Sequence, residues 1–194
     1  MTSLLLAAFP PELGELLGEP PEGWHAECTG LGALAAAVAT ARLLAQLRPR
    51  RVLFAGTCGA YDARLEVGTC FAASLAVATS APELRRAAYR PQAERTRWAA
   101  TWSLPFRAHP VAVPPAITTD PADAALLADV APAEHLELTG VFAACHAAGV
   151  DCAALLGVAN RVGPGAHREW QAHHRAVSRA LAEALQREGV FAMP

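Results

Sequence analysis

The chain has 194 residues, of which 53% are apolar and 18% charged, and its formal net charge is −2. This balance excludes a disordered chain, and the near-neutral charge argues against a general nucleic-acid binder. The length fits one domain, or at most two small ones, with a core large enough to be stable without disulfide bonds. We predict a single domain over residues 1–194.

The first half of the chain predicts four strands and one long helix. Residues 3–8 are a short apolar run before two prolines, and residues 24–28 are a second possible strand. A turn at 29–32 opens an apolar helix over 33–47. A short strand at 51–55 leads into a loop at 56–59, and a further strand is predicted over 68–77.

The second half predicts more helix than strand. A short helix is predicted at 82–89, no pattern can be assigned over 91–109, and 111–113 is short and β-like. Helices follow at 121–130, with Asp120 as N-cap, and at 138–148, ending at Gly149. A buried strand at 150–158 precedes the last helix at 166–188.

Strands that alternate with helices predict an α/β fold, here three-layer α/β/α with a central, mostly parallel (mixed) sheet. In such sheets, ligands bind beyond the carboxyl ends of the strands. By position alone, the polar groups expected to face one cleft are Glu12, Thr57, Glu137 and Asn160.

Cysteine content and hydropathy together predict a cytoplasmic protein. The five cysteines form no C-x-x-C pair, and an odd number argues against a complete disulfide framework, so buried free thiols are expected. No segment reaches the length of a membrane span. The apolar run at 4–9 lacks a preceding basic residue and is read as a strand, not a signal peptide.

Five motifs in order resemble the purine nucleoside phosphorylase/nucleosidase superfamily. They lie at 5–13, 29–37, 56–59, 67–68 and 136–160. Leu136-Glu137 stands where the superfamily has Met-Glu, and Ala159-Asn160 stands where it has Ser-Asp. The resemblance covers residues 3–77 and 115–188 and implies a phosphorylase/hydrolase-like fold.

One branch of the superfamily is the most similar. Asn160-Arg161-Val162-Gly163-Pro164, followed by Arg168 and Trp170, resembles the futalosine hydrolases of menaquinone biosynthesis. The resemblance implies release of hypoxanthine from a nucleoside. Two alternatives stay open: a methylthioadenosine/S-adenosylhomocysteine-type nucleosidase, or a catalytically inactive nucleoside-binding homologue. The second is considered because the chain is short around 78–115, a region that in relatives helps to close the pocket.

The resemblance also implies roles for individual residues. Glu12 would be the general base that activates water, unless it is an ordinary solvated residue in the first turn of a helix. Asn160 would hold the departing base, and its amide suits a 6-oxopurine better than a 6-aminopurine. Glu137 would bind the ribose 2′- and 3′-hydroxyls, and the remaining pocket residues would be Leu136, Thr57, Gly59 and Trp170.

Cofactor and partner expectations follow from the same resemblance. Phe54 and Ala55 occupy the stretch where the phosphorylases carry a phosphate-binding Arg, which favours water over phosphate as nucleophile. No cofactor is implied, and no metal is expected because His167 and His174 lack a neighbouring carboxylate cluster. The expected partners are a small-molecule purine nucleoside and further copies of the chain, as a homodimer or larger homo-oligomer, with no nucleic acid and no membrane.

Overall fold

The computed structural model describes residues 2–193, so Met1 and Pro194, the two ends of the predicted domain, lie outside the described residues. The described part contains the strands β1 Ser3–Ala7, β2 Trp24–Cys28, β3 Arg51–Ala60, β4 Cys70–Ala78, β5 Arg97–Ala99, β6 Ala108–Val113, β7 Ala133–Glu134 and β8 Asp151–Arg161. Its α-helices are α1 Pro10–Leu13, α2 Ala33–Leu47, α3 Ala81–Leu84, α4 Pro121–Ala128, α5 Leu138–Ala148 and α6 Ala166–Arg187. Short 3₁₀ turns follow α1 at Gly14–Leu17 and α6 at Val190–Ala192.

The strands form one mixed sheet that closes on itself. Strands β2, β1, β3 and β8 run parallel in that order, and β4, β6 and β7 form a second parallel set. Antiparallel pairs β4–β8 and β3–β7 join the two sets, so the ring β3-β8-β4-β6-β7 is a closed barrel. The predicted mixed, mostly parallel sheet with its helices is confirmed. The predicted three-layer arrangement is corrected, because that description leaves the sheet open.

Closure depends on a strand too short to leave a pattern in the sequence. Strand β7 is two residues long, and it pairs Glu134 with Gly59 and Ala133 with Ala60 of β3. Two residues show no alternation of apolar and polar side chains, which is the signal that identifies a strand. The three-residue strand β5 escapes prediction for the same reason.

The central strands are apolar over most of their length, as expected for strands that are buried on both faces. Side chains alternate along each strand, and in β1 Leu4 and Leu6 join the core that contains α2 and α5. Leu5 and Ala7 join the core on the other side, against α6. The continuous apolar runs are therefore the expected pattern for strands covered by helices on both sides.

Helices α2 and α5 approach closely, and this contact positions two site segments. A Cβ on Gly140 would lie 2.0 Å from the Ala33 carbonyl oxygen, so glycine is required where the helices touch. The contact brings Glu137, which immediately precedes α5, next to Gly32, which immediately precedes α2.

Two central strands extend further than the sequence predicts. The glycine-containing segment 56–59, predicted as a loop, belongs to β3, and residues 159–161 belong to β8. Glycine is needed there for packing: a Cβ on Gly59 would lie 2.8 Å from Val162 Cγ2. A β-bulge shifts the β3–β8 register between Cys58 and Gly59, and such bulges re-aim side chains. The helix predicted at 82–89 is shorter in the structure, where α3 covers only Ala81–Leu84.

All five cysteines are free thiols; Cys58, Cys145 and Cys152 are buried, whereas Cys28 and Cys70 are half-buried. Between residues 2 and 193, no helix combines the length and the apolar character needed to cross a membrane.

Candidate active site

A cavity of about 420 Å³ contains every residue that the sequence nominated for the site. This volume lies within the range of small-molecule sites, roughly 300–1,000 Å³. The nominated residues come from the C-terminal ends of strands, from the segments that follow them, and from α6: Glu12, Thr57, Gly59, Leu136, Glu137, Asn160 and Trp170. The fold therefore brings together residues that are up to 158 positions apart in the chain.

Glu12 is a buried carboxylate and not a solvated helix residue. Its side chain is held by three donors: the Thr57 N–H and hydroxyl both reach Oε1 at 2.7 Å, and the Ala8 N–H reaches Oε2 at 3.1 Å. The prolines at the first two positions of α1 lack the N–H groups that would have no partner in the first turn of a helix. Burial raises the pKa of Glu12 to about 7, although the Thr57 donors act in the opposite direction.

Glu137 is anchored at the start of α2. Its Oε1 accepts the Gly32 N–H at 2.7 Å. Gly32 has φ +86°, which favours glycine, and it is the N-cap of α2, whose dipole favours a negative charge there. Of the two turn glycines, Gly32 thus holds an anion that belongs to the chain itself, whereas the Gly30 N–H donates to the Ala8 carbonyl.

His135 lies between the two carboxylates. Its Nδ1 accepts the Glu137 N–H at 3.1 Å and is 3.3 Å from Glu137 Oε2, whereas its buried Nε2 has no hydrogen-bond partner among the described residues. A Cβ on Gly56 would lie 3.2 Å from His135 Nε2 and 3.4 Å from Glu12 Oε1. These two side-chain atoms therefore lie on the same side of Gly56. Burial lowers the pKa of His135, which keeps the ring neutral.

Asn160 lies across a glycine from a third buried carboxyl group, that of Glu134. Gly59 pairs with Glu134 on one neighbouring strand and with Asn160 on the other. Asn160 Nδ2 donates one hydrogen bond to the Arg161 carbonyl at 2.9 Å, which leaves its second N–H and its Oδ1. Glu134 accepts the Tyr61 hydroxyl at 2.8 Å and the Thr118 N–H at 3.2 Å, and burial raises the pKa of Glu134.

Glu134 and His135 are cavity residues that the sequence did not nominate, together with Phe9, Leu31 and Ile117. The available signal was proximity, since both precede Glu137 by three residues or fewer. Placing them required the pairing of β7 with β3, which no local pattern reveals.

Trp170 lines the cavity with its indole held edge-on to Thr57. Its Nε1 donates to Thr57 Oγ1 at 3.1 Å. The indole stacks on His174, with ring centroids 4.1 Å apart and planes 10° apart, and lies 6.0 Å from His167 on its other side. The two histidines that share a helix face thus sandwich an aromatic ring.

Several solved structures share this fold. Futalosine hydrolase of Helicobacter pylori strain 26695 superposes with a TM-score of 0.85, at 15% identity and over 100% of this chain and 98% of that one. A 5′-methylthioadenosine/S-adenosylhomocysteine nucleosidase from Helicobacter pylori gives 0.83, at 15% identity and over 97% of each chain. The corresponding nucleosidase from Colwellia psychrerythraea 34H, solved with adenine, gives 0.80, at 16% identity and over 94% and 91% of the two chains. At these identities the likeness shows the fold alone.

Sequence comparison places the chain in a family. No curated protein matches it. The family described as "Phosphorylase superfamily" matches residues 22–136, which is more than half of the 194 residues. This match includes the helix-start glycines, the strand that holds Thr57 and Gly59, and the segment that leads to Glu137. The chain therefore belongs to the phosphorylase superfamily.

Proposed function

We propose that the protein is a nucleoside N-ribosyl hydrolase of the futalosine hydrolase type that releases hypoxanthine. The observation that carries this proposal is one cavity that holds the buried carboxylates of Glu12, near Gly56, and Glu137, together with Asn160 beside Gly59. Gly56 and Gly59 are three residues apart, about 10 Å along a strand. A ribose and its attached purine can span that distance, with the sugar at the carboxylates and the base at Asn160.

At the sugar end, the two carboxylates have different tasks. Glu137 accepts hydrogen bonds from the ribose 2′- and 3′-hydroxyls, and its negative charge stabilises the cationic sugar that forms as the bond to the base weakens. Glu12 accepts a proton from water while the water oxygen forms a bond to C1′. This division of labour parallels other glycoside hydrolyses, with nitrogen in place of oxygen as the leaving atom.

At the base end, the free N–H of Asn160 supports the leaving group. The electron pair of the C1′–N9 bond passes to the purine, which then takes up a proton from solvent. An amide N–H can stabilise this charge at N7 or O6, whereas it has no acidic proton to transfer. A 6-oxopurine offers an acceptor at position 6 where an adenine offers a donor, so we propose hypoxanthine as the released base.

The cavity favours water over phosphate as the nucleophile. Its described lining contains three glutamates and neither Lys nor Arg. Phosphate would need a cationic clamp to enter a site with this much negative charge. The fully buried Phe54 ring packs against His135 in the stretch where a clamp is expected in the phosphorylases.

The test is base release from three nucleosides with and without phosphate. Futalosine, inosine and methylthioadenosine are each incubated with the protein, and the bases are separated by chromatography. We expect hypoxanthine from futalosine at a rate that phosphate does not change. Faster release of adenine would instead assign the methylthioadenosine-type specificity. Nucleoside binding by calorimetry without release of any base would overturn hydrolysis and favour a catalytically inactive homologue.

Replacing Asn160 by aspartate is expected to change the base preference. A protonated aspartic acid can donate to N7 of adenine, whereas an ionised one repels O6 of hypoxanthine. An unfavourable polar contact costs about 1–3 kcal/mol, so we expect the rate ratio of adenine to hypoxanthine release to rise by about tenfold or more. Asn160→Ala is the matched control and should slow both reactions. An unchanged ratio in Asn160→Asp would remove Asn160 from base recognition.

The proposal extends to assembly and compartment. We propose a homodimer or larger homo-oligomer, which is supported by exposed apolar side chains just before and on α2 and at Ile117: Leu31, Leu34, Val38 and Ile117. Leu31 and Ile117 also line the cavity, so a second copy on this surface would help to close the site. We propose further that residues 1–194 act as one domain and that the protein works in the cytoplasm.

A further inference from the structure

A chain of hydrogen bonds links α6 to Glu12 and has a fixed direction. An indole N–H can only donate, so Trp170 Nε1 must give its proton to Thr57 Oγ1, 3.1 Å away. The Thr57 hydroxyl has a single proton, which is then free to point at Glu12 Oε1, 2.7 Å away. Trp170 therefore sets the donor-to-acceptor direction of both hydrogen bonds.

These hydrogen bonds give the two carboxylate oxygens of Glu12 different numbers of donors. Oε1 accepts both the hydroxyl and the N–H of Thr57, each at 2.7 Å. Oε2 accepts the Ala8 N–H alone, at the longer distance of 3.1 Å. A carboxylate oxygen with two short donors has little capacity for a third partner, so Oε2 is the oxygen that remains for another proton donor.

The indole itself has little freedom to turn away from Thr57. It stacks on His174 with ring centroids 4.1 Å apart, and Phe9 lies 5.8 Å away on another segment. His167 and His174 come from the same helix as Trp170, three residues before it and four residues after it, so their placement follows from helix geometry. The donor is consequently held in place before any ligand arrives.

We propose that Trp170 is a positioning residue: its indole N–H commits the Thr57 hydroxyl proton to Glu12 Oε1 and leaves Oε2 to receive the proton of the attacking water. The assignment of that water rests on the proposed hydrolase function. The direction of the hydrogen-bond chain rests only on the geometry of Trp170, Thr57 and Glu12. Trp170 therefore acts through Thr57 and Glu12 and does not need to stack on the base.

Loss of the indole N–H should be visible in the titration of Glu12. Without it, the Thr57 hydroxyl can rotate toward other acceptors and stabilises the ionised carboxylate less. The Thr57 hydrogen bonds lower the pKa of Glu12 against the effect of burial, so weakening them should raise it. The titratable groups that face Glu12 from the surrounding elements stay in place: Cys28, Cys58, His135 and Glu137.

The test is a ¹³C NMR titration of the Glu12 carboxyl carbon in wild type and variants. We expect Trp170→Phe, which keeps a ring but removes the donor, to raise the pKa of Glu12 by about half a unit or more. Thr57→Val should raise it further, and adding Trp170→Phe to Thr57→Val should have no additional effect. Trp24→Phe is the matched control, since its Nε1 donates at 3.0 Å to the Phe191 carbonyl outside the cavity.

The outcomes separate this inference from the proposed function. An unchanged pKa in Trp170→Phe, or additive shifts in the double variant, would overturn the inference even if the protein hydrolyses nucleosides. If the pKa of Glu12 shifts as expected but the protein releases no base, the direction of the hydrogen bonds from Trp170 to Glu12 is supported and hydrolysis is overturned. If both hold, the acidic limb of kcat/KM in Trp170→Phe should move by the same amount as the NMR titration.

Discussion

Replacing Glu137 by glutamine is expected to lower kcat/KM for base release by about 10²–10³-fold. Glutamine keeps the shape of the side chain and an oxygen that can accept the Gly32 N–H, now 2.7 Å from Glu137 Oε1. It removes the negative charge that faces the developing cation on the sugar. The loss should therefore fall on kcat as well as on KM, because the charge matters more in the transition state than in the bound substrate.

The measurement is steady-state kinetics with the nucleoside that the release assay selects. Asp120→Asn is a matched control, since Asp120 also accepts backbone N–H groups, from Ala122 and Asp123, at the start of α4 and outside the cavity. It should retain wild-type activity. A Glu137→Gln variant with full kcat and a changed KM alone would restrict Glu137 to substrate binding.

The sequence nominated Glu12 and Asn160 from local patterns, whereas Glu137 was nominated because it precedes a helix and because of the family resemblance. Glu12 follows an apolar strand and a proline pair, and Asn160 lies at the end of a continuous apolar run. These signals place polar side chains at the carboxyl ends of neighbouring strands, where the fold brings them into one cavity. The resemblance to a family added roles that the patterns alone do not provide.

The parts that escaped prediction depend on contacts between distant segments. The ring closes only when β7 pairs with β3, which joins Glu134 to Gly59 over 75 residues, and a two-residue strand leaves no periodic signal. Glycine at 56 and 59 indicates a loop when read locally. In the folded chain it allows His135, Glu12 and Asn160 to approach the backbone of β3. His135 was therefore missed although it lies two residues from Glu137.

Glu12 should control the pH dependence of the reaction. Burial raises its pKa to about 7, and only the ionised form can accept a proton from water. The value of kcat/KM is therefore expected to rise tenfold per pH unit below about pH 7 and to level off above it. Glu12→Gln should lower the plateau by about 10²–10⁴-fold and abolish this limb. A limb that persists in Glu12→Gln would belong to another group.

The raised pKa of Glu12 also predicts that the free energy of unfolding falls as the pH rises, whereas kcat/KM rises. The folded chain holds the Glu12 proton up to about pH 7, whereas the unfolded chain releases it near the ordinary value of 4.5. The unfolded state thus binds fewer protons within this window, so raising the pH through it favours unfolding. The shift corresponds to about 3 kcal/mol of unfolding free energy, present at pH 4.5 and lost by pH 7.

Denaturant unfolding at several pH values compares wild type with Glu12→Gln, which cannot titrate at this position. We expect the free energy of unfolding of wild type to fall relative to that of the variant as the pH rises from 4.5 to 7. Parallel curves would mean that Glu12 is not desolvated in the folded chain. A general base here would then have no raised pKa, and the acidic limb of the reaction would move toward pH 4.5. The stability and rate profiles therefore test the same buried carboxylate by independent measurements.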